Sequence, residues 1–335
     1  MVSNTISNIG FRVTSSIKHG KGHLSRCLKI AESLNYQVSF FIDPNSHIIN
    51  CKINIIEEKL DSSATLAISA LKQKKINVLV FDNYNISFKE IEKANRHGIC
   101  VVIDDLLLPW KNSVVIAPNL GAHKKHYIEN KNVFAGSKYV LVDKKYKKAF
   151  NDNINNIKTN KIKNSILIQI GAIDSKNNIK KILNIINQIK FEIKTITVVL
   201  SNEAPHREEI KNILDNFDNS KLLEVHKVSD MIKLYMNHNI IIGAAGVSLL
   251  ERLSMGIYSL VFSVNENQEL NSLFIQKHNL SLYGGRIDEL SSKDIKNIII
   301  KFLMDNKTQF FNHNITNKFI DDKGSDRVAK ILNEL

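Results

Sequence analysis

Short apolar, β-branched runs alternate with segments of helical period along most of this chain, the pattern of α/β folds built on parallel sheets. In the first half, strands are expected at residues 10–15, 37–42, 78–82 and 100–104, with shorter ones at 113–117 and 138–142. Helices are expected between them at 23–34, 66–74 and 88–97. A second series runs strand 166–170, helix 179–190, strand 195–200, helix 207–214 and strand 222–225. It continues with helix 229–236, strand 240–243, helix 248–255, strand 259–262 and a helix from about residue 268. Between the series, the polar, Asn/Lys-rich stretch 150–164 has the composition of a linker. The expected organisation is a Rossmann-like domain at 1–150, a linker at 151–164 and a second Rossmann-like domain at 165–335. Two such domains place a ligand in the cleft between them, outside the carboxyl ends of their strands.

The 335 residues suit two domains of ordinary size, and 43% apolar with 24% charged residues excludes a disordered or fibrous chain. No apolar run approaches the roughly 20 residues of a membrane span, and the N-terminus has no secretory pattern. The three cysteines, Cys27, Cys51 and Cys100, are scattered without CxxC spacing, which supports neither a disulfide framework nor a zinc site. A cytoplasmic setting is expected, with no membrane insertion, no metal and no cofactor. The net charge of +13, from 46 basic and 33 acidic residues, suits an anionic ligand. The lysines are dispersed in a chain rich in Ile, Asn and Lys, and no basic block carries interleaved aromatics, so the charge reads as composition bias and nucleic acid is not expected as a partner.

Four segments carry candidate chemistry. In the first, a strand ends near Arg12 and a loop with Gly20, Lys21 and Gly22 leads into a helix at His23. The glycines admit a ligand close to the backbone, and a helix N-terminus favours anions. The loop has neither the Gly-Lys-Ser/Thr ending of a Walker A motif nor the third glycine of a dinucleotide fingerprint. His23 either acts as a general base, a role that suits a free imidazole's near-neutral proton affinity, or merely begins a helix. In the second segment, a buried strand runs through Gly243 to Gly246 and into a helix carrying Ser248 and Glu251. Free N–H groups there would cradle a diphosphate, and Glu251 could accept hydrogen bonds from a ribose diol. The same Ser-x-x-Glu spacing is that of a capping box, which needs no ligand. The third segment, Asn265 to Gln268, brings amides to the end of the next strand; the fourth sets Asp82-Asn83-Tyr84 and Asp104-Asp105 at the ends of two buried strands.

Taken in order, these residues resemble the UDP-2,4-diacetamido-2,4,6-trideoxy-β-L-altropyranose hydrolases of pseudaminic acid biosynthesis. Arg12-x-x-x-Ser16 with Gly20-Lys21-Gly22-His23-Leu24-Ser25-Arg26-Cys27 resembles that family's N-terminal signature. Phe81-Asp82-Asn83-Tyr84 is similar to its Asp-His-Tyr, Asp104-Asp105-Leu106 to its Asp-Asp-Leu, and Asn119-Leu120 to its Gln-Asn-Leu. Gly171-Ala172-Ile173-Asp174 is similar to Gly-Gly-x-Asp, and Gly243 to Arg252 with Asn267-Gln268 match most closely. The chain departs from the pattern at Thr14, Asn83, Ala172 and Asp143. The resemblance implies a GT-B type fold, related to that of the lipid II N-acetylglucosaminyltransferase, and inverting, metal-independent hydrolysis of a UDP-sugar. It implies that His23 deprotonates the attacking water and Tyr84 positions sugar or water. It further implies substrate contacts from Arg12, Ser16, Gly22, Arg26, Asp82, Asp105 and Asn119 in the first domain. In the second, it implies them from Gly171, Asp174, Gly246, Val247, Ser248, Glu251, Asn267 and Gln268. The alternative is an inverting glycosyltransferase of the same architecture, in which His23 deprotonates an acceptor hydroxyl; a binding protein without turnover is a third possibility. Residues 286–335 carry no signal, and the oligomeric state is not legible.

Overall fold

The structure, a computed structural model, describes residues 8–14, 22–34, 37–44, 53–58, 64–157, 162–304 and 316–335, with the backbone alone for 153–157. The chain divides into two compact units, Met1–Leu141 with Lys323–Leu335, and Val142–Asp322.

The first unit contains β1 (Ile9–Val13), α1 (Gly22–Leu34), β2 (Val38–Ile42), β3 (Ile53–Glu57) and α2 (Thr65–Lys72). It continues through β4 (Val78–Asp82), α3 (Phe88–Asn95), β5 (Ile99–Ile103), β6 (Val114–Ala117) and β7 (Val133–Ala135). The strands form a sheet of order β3-β2-β1-β4-β5-β6-β7 in which every pairing is parallel. Parallel strands covered on both faces read as unbroken apolar runs, which is why Val78–Asp82 and Ile99–Ile103 are legible as strands. Phe11, Phe40 and Val80 enter the core on one face, with Phe41, Leu79 and Phe81 on the other. From β1 the order runs outward to β2 and β3, and from β4 it runs the other way. The gap between the carboxyl ends of β1 and β4 is therefore the switch point where such sheets bind ligands.

The second unit opens with α4 (Lys144–Ile157), followed by β8 (Ile162–Gln169), α5 (Asn178–Ile186), β9 (Thr195–Val199) and α6 (Arg207–Leu214). Then come β10 (Ser220–Leu223), α7 (Val228–Asn237), β11 (His238–Ala244), α8 (Val247–Ser254) and β12 (Leu260–Ser263). It ends with α9 (Glu269–Lys277), β13 (Leu282–Arg286) and α10 (Ser292–Met304). Its parallel sheet has the order β10-β9-β8-β11-β12-β13, with the switch point between β8 and β11. The last helix, α11 (Gly324–Glu334), returns to the first unit, where Val328, Ala329 and Leu332 join the core that holds Ile30 of α1.

Several elements differ from the sequence reading. The strand expected at 138–142 is a 3-10 turn, Ser137–Tyr139, leading to an extended segment. Within the stretch expected as a linker, α4 continues to Ile157 and β8 begins at Ile162. Tyr146 and Phe150, four residues apart and buried, anchor α4 while polar residues crowd its other positions. Three strands carried no usable signal: β3 sits at a sheet edge with its side chains partly exposed, β7 is three residues long, and β13 contains two glycines.

Candidate active site

In the first unit, the switch point gathers side chains from α1, β4 and the loop after β5. Asp82, the last residue of β4, is fully buried, and its backbone carbonyl accepts from the Thr14 N–H at the end of β1. His23, in the first turn of α1, sets Nδ1 2.6 Å from Asp82 Oδ1. The Arg26 guanidinium forks onto the same carboxylate, Nε to Oδ2 at 2.6 Å and Nη2 to Oδ1 at 2.5 Å, while Nη1 reaches Asp105 at 2.8 Å. Burial opposes the charge on Asp82, but Arg26 and His23 outweigh it and hold the carboxyl well below the usual carboxylate range. Burial likewise opposes the Arg26 charge, and Asp105 and Asp82 overcome it. Because Asp82 is an ionised acceptor, the short contact puts a proton on His23 Nδ1, so that in the neutral ring the lone pair falls on Nε2. Among the described residues, Nε2 has no hydrogen-bond partner.

The Tyr84 ring packs edge-on against His23, with centroids 4.4 Å apart, and its hydroxyl donates to Asp105 at 3.0 Å. Burial and the Asp105 charge push the phenol up, so it stays protonated and donates. Asn119 donates to the Asp105 carboxylate and backbone carbonyl, both at 3.3 Å. The Cys27 thiol, its pKa raised by burial and by Asp82, lies 3.3 Å from Asp82 as a protonated donor. Thus His23, Arg26, Asp82, Tyr84, Asp105 and Asn119 come together, with Gly22 as the first residue of α1. Arg26 and Asn119 thus direct donors onto Asp82 and Asp105.

Arg12 has a different role from the one expected. It is 1% exposed, pairs with Glu58 at 3.1 Å and donates to the Phe41 carbonyl at 3.3 Å. Glu58 also accepts the Leu66 N–H in the first turn of α2, so Arg12 ties the sheet to that helix. Ser16, like Gly20 and Lys21, lies outside the described residues.

In the second unit, α8 leaves the carboxyl end of β11. Its N-cap is Gly246, with no side chain to satisfy the first-turn N–H groups, and Ser248 lies inside the helix. The capping-box alternative is therefore not formed: Glu251 instead accepts from the Tyr235 hydroxyl at 3.5 Å. A Cβ at Gly246 would stand 3.4 Å from Gln268 Nε2, whose amide oxygen accepts the Val264 N–H. The Val247 and Ser248 N–H groups and the Gln268 amide therefore converge beside an uncapped helix start, the chemistry that holds a diphosphate. Asn267 belongs to the 3-10 turn Glu266–Gln268 at the carboxyl end of β12. Gly171 follows β8 with φ +101°, and a Cβ there would meet open space. Asp174 departs from expectation: its carboxylate accepts the N–H groups of Asn178 (3.0 Å) and Ile179 (2.8 Å), closing the first turn of α5. Tyr146, Tyr235 and Gln169, which the motif reading did not single out, complete the surroundings of Glu251. No motif spacing marks them, since each stands on a different element.

Two parallel-sheet α/β units of these strand orders define the GT-B type of fold. No family model matches the chain. It is 20% identical over 341 residues, 98% of each chain, to the spore coat polysaccharide biosynthesis protein SpsG of Bacillus subtilis. Among solved structures, Acinetobacter baumannii MurG is similar with a TM-score of 0.66 at 13% identity, over 98% of this chain and 99% of that one. The S. aureus MnaA–UDP co-structure gives 0.66 at 13%, over 98% and 97%. WaaG, a glycosyltransferase involved in lipopolysaccharide biosynthesis, gives 0.61 at 12%, over 96% and 99%. Among the described residues, no helix is long and apolar enough to cross a membrane.

Proposed function

We propose that this chain is an enzyme of surface-polysaccharide or related sugar biosynthesis that moves a sugar from UDP to a hydroxyl with inversion. The observation that carries the proposal is the His23–Asp82 pair: Nδ1 is tied at 2.6 Å to a carboxylate held ionised, and Nε2 is left without a partner among the described residues. An imidazole fixed in this way accepts a proton at Nε2 while the carboxylate stabilises the imidazolium. The incoming oxygen bonds to the anomeric carbon, the carbon–oxygen bond to UDP breaks, and its electrons leave with the diphosphate. The N–H groups of Val247 and Ser248 receive that charge, and Glu251 accepts from the ribose hydroxyls. Tyr84 orients the sugar or the incoming hydroxyl.

A transferase reading draws support from the fold shared with MurG and WaaG and from the distant similarity to SpsG. Hydrolysis of a UDP-linked diacetamido-trideoxy sugar is the second reading, favoured by the ordered motif set from Arg12 to Gln268. NMR of the protein with UDP-2,4-diacetamido-2,4,6-trideoxy-β-L-altropyranose, without acceptor, separates them. Stoichiometric UDP and free sugar would establish hydrolysis. Bound but intact donor, turned over only when a hydroxyl acceptor is added, is the result expected of the transferase. Failure to bind UDP at all would remove both readings.

A further inference from the structure

We propose that the turn at residues 123–126 is a pH-sensitive latch on the loop that grips Asp104 and Asp105. Its two imidazoles hold the turn closed as neutral acceptors, and their protonation opens it and slackens the Asn119 hold on Asp105.

The loop between β6 and β7 is tethered at two points to neighbouring residues past the end of β5. At the first, the Asn119 amide donates to Asp105, and the Asn119 carbonyl accepts the Ala122 N–H. At the second, the buried Tyr127 donates its hydroxyl to Asp104 at 2.6 Å, a carboxylate that also accepts the Leu106 and Leu108 N–H groups. Between these anchors lies the 3-10 turn Lys124–His126, with His123 as its N-cap. His123 Nδ1 accepts the Lys125 N–H at 3.1 Å, and His126 Nδ1 accepts the His123 N–H at 3.2 Å. This is the reciprocal arrangement of a capping box, with imidazoles where a hydroxyl and a carboxylate or amide are usual. A backbone N–H can only donate, so each neutral ring keeps its lone pair on Nδ1 and its proton on Nε2. Protonating either ring puts an N–H on Nδ1, so that a donor faces a donor and the cap is lost. Lys124 and Lys125 stand between the two rings, so each added proton also charges a turn that already holds two cations. The strand packed against the turn, β7, presents Val133, Phe134 and Ala135, none of them titratable, and the Lys124 amine lies 5.8 Å from the Phe134 ring centroid. Glu129, the nearest acid along the chain, is paired with Lys111. Burial first, then Lys125 and His123, hold the His126 pKa below its ordinary value. With that value lowered in the folded state, the turn's contribution is fully present above about pH 6.5 and is lost as pH falls through the folded value.

NMR of the full chain between about pH 8 and pH 5 tests this, in the wild type and in a His123→Asn, His126→Gln double variant whose side chains can form the same caps but do not titrate. No nucleotide enters the test, so its outcome is separate from that of the reaction proposed for the site. At the alkaline end, nitrogen-resolved spectra should show both wild-type rings with the proton on Nε2; a proton on Nδ1 in either neutral ring would overturn the proposal. Exchange protection of the His123 and Lys125 amides, corrected for the intrinsic rate, should fall about 3- to 10-fold across the range, the loss of one hydrogen bond each. The Asn119 side-chain amide signals should move with the same midpoint. In the double variant, protection of the corresponding amides is expected to stay within about twofold while the Asn119 signals hold their positions. Wild-type protection that is flat with pH, or an equal fall in the double variant, would overturn the latch. A turn that opens while the Asn119 signals stay fixed would overturn it as well. Thermal melting confirms that the double variant is folded, and if it is not, the wild-type tautomers, protection and Asn119 signals decide the proposal alone.

Discussion

Residue identity alone did not separate ligands from scaffolding, and the arginines show why. Arg12 and Arg26 both stand in the N-terminal motif, yet Arg12 ends in a buried pair with Glu58, and Arg26 bridges Asp82 and Asp105. Glu58 follows Arg12 by 46 residues in a segment that announces nothing by spacing, whereas Asp82 and Asp105 follow Arg26 by 56 and 79 residues at the ends of readable strands. Asp174 was read as a ligand for the same reason; its partners, the first N–H groups of α5, exist only once that helix forms. His23, Asp82 and Tyr84 were legible because each lies at the carboxyl end of a readable strand or at the start of a readable helix. Since Arg26 neutralises two buried carboxylates, Arg26→Met should destabilise the protein by about 3–5 kcal/mol in urea unfolding. A loss under about 1 kcal/mol would show that the pairs are dispensable.

At the scale of elements, the buried parallel strands and the helices that follow them were readable from periodicity. Elements whose apolar residues are few, such as α4 and β13, were not. The diphosphate cradle proposed at α8 depends chiefly on an element end, which gives it a separate test. Proline is tolerated at the first helical position, where it lacks the N–H but keeps the helix. Val247→Pro should therefore weaken UDP binding about 5- to 10-fold, the loss of one charge-assisted hydrogen bond, while shifting Tm little. Unchanged affinity in calorimetry would place the diphosphate elsewhere.

The molecule as a whole joins two sheets of one kind, and each puts chemistry at its own switch point. The His23–Asp82 pair stands in the first unit, and an uncapped helix start beside the Gln268 amide stands in the second. The first cluster also links site chemistry to stability. Asp82 has its folded-state pKa depressed, so its contribution is fully present above its unfolded value of about 3.9 and is lost as pH falls toward the folded value. Urea midpoints should show Asp82→Asn less stable than wild type near neutrality, with the gap closing only below about pH 4. A gap constant down to pH 2 would contradict the depressed carboxyl. The activity proposed for the chain rests on His23 as base. Its most direct test is UDP release from the diacetamido-trideoxy UDP-sugar, with and without hydroxyl acceptors, compared between wild type and His23→Asn alongside UDP titration. The account predicts that release is abolished in the variant while UDP affinity stays within about twofold, because the base and the diphosphate cradle are separate groups. Undiminished release, or a parallel loss of UDP affinity, would contradict it.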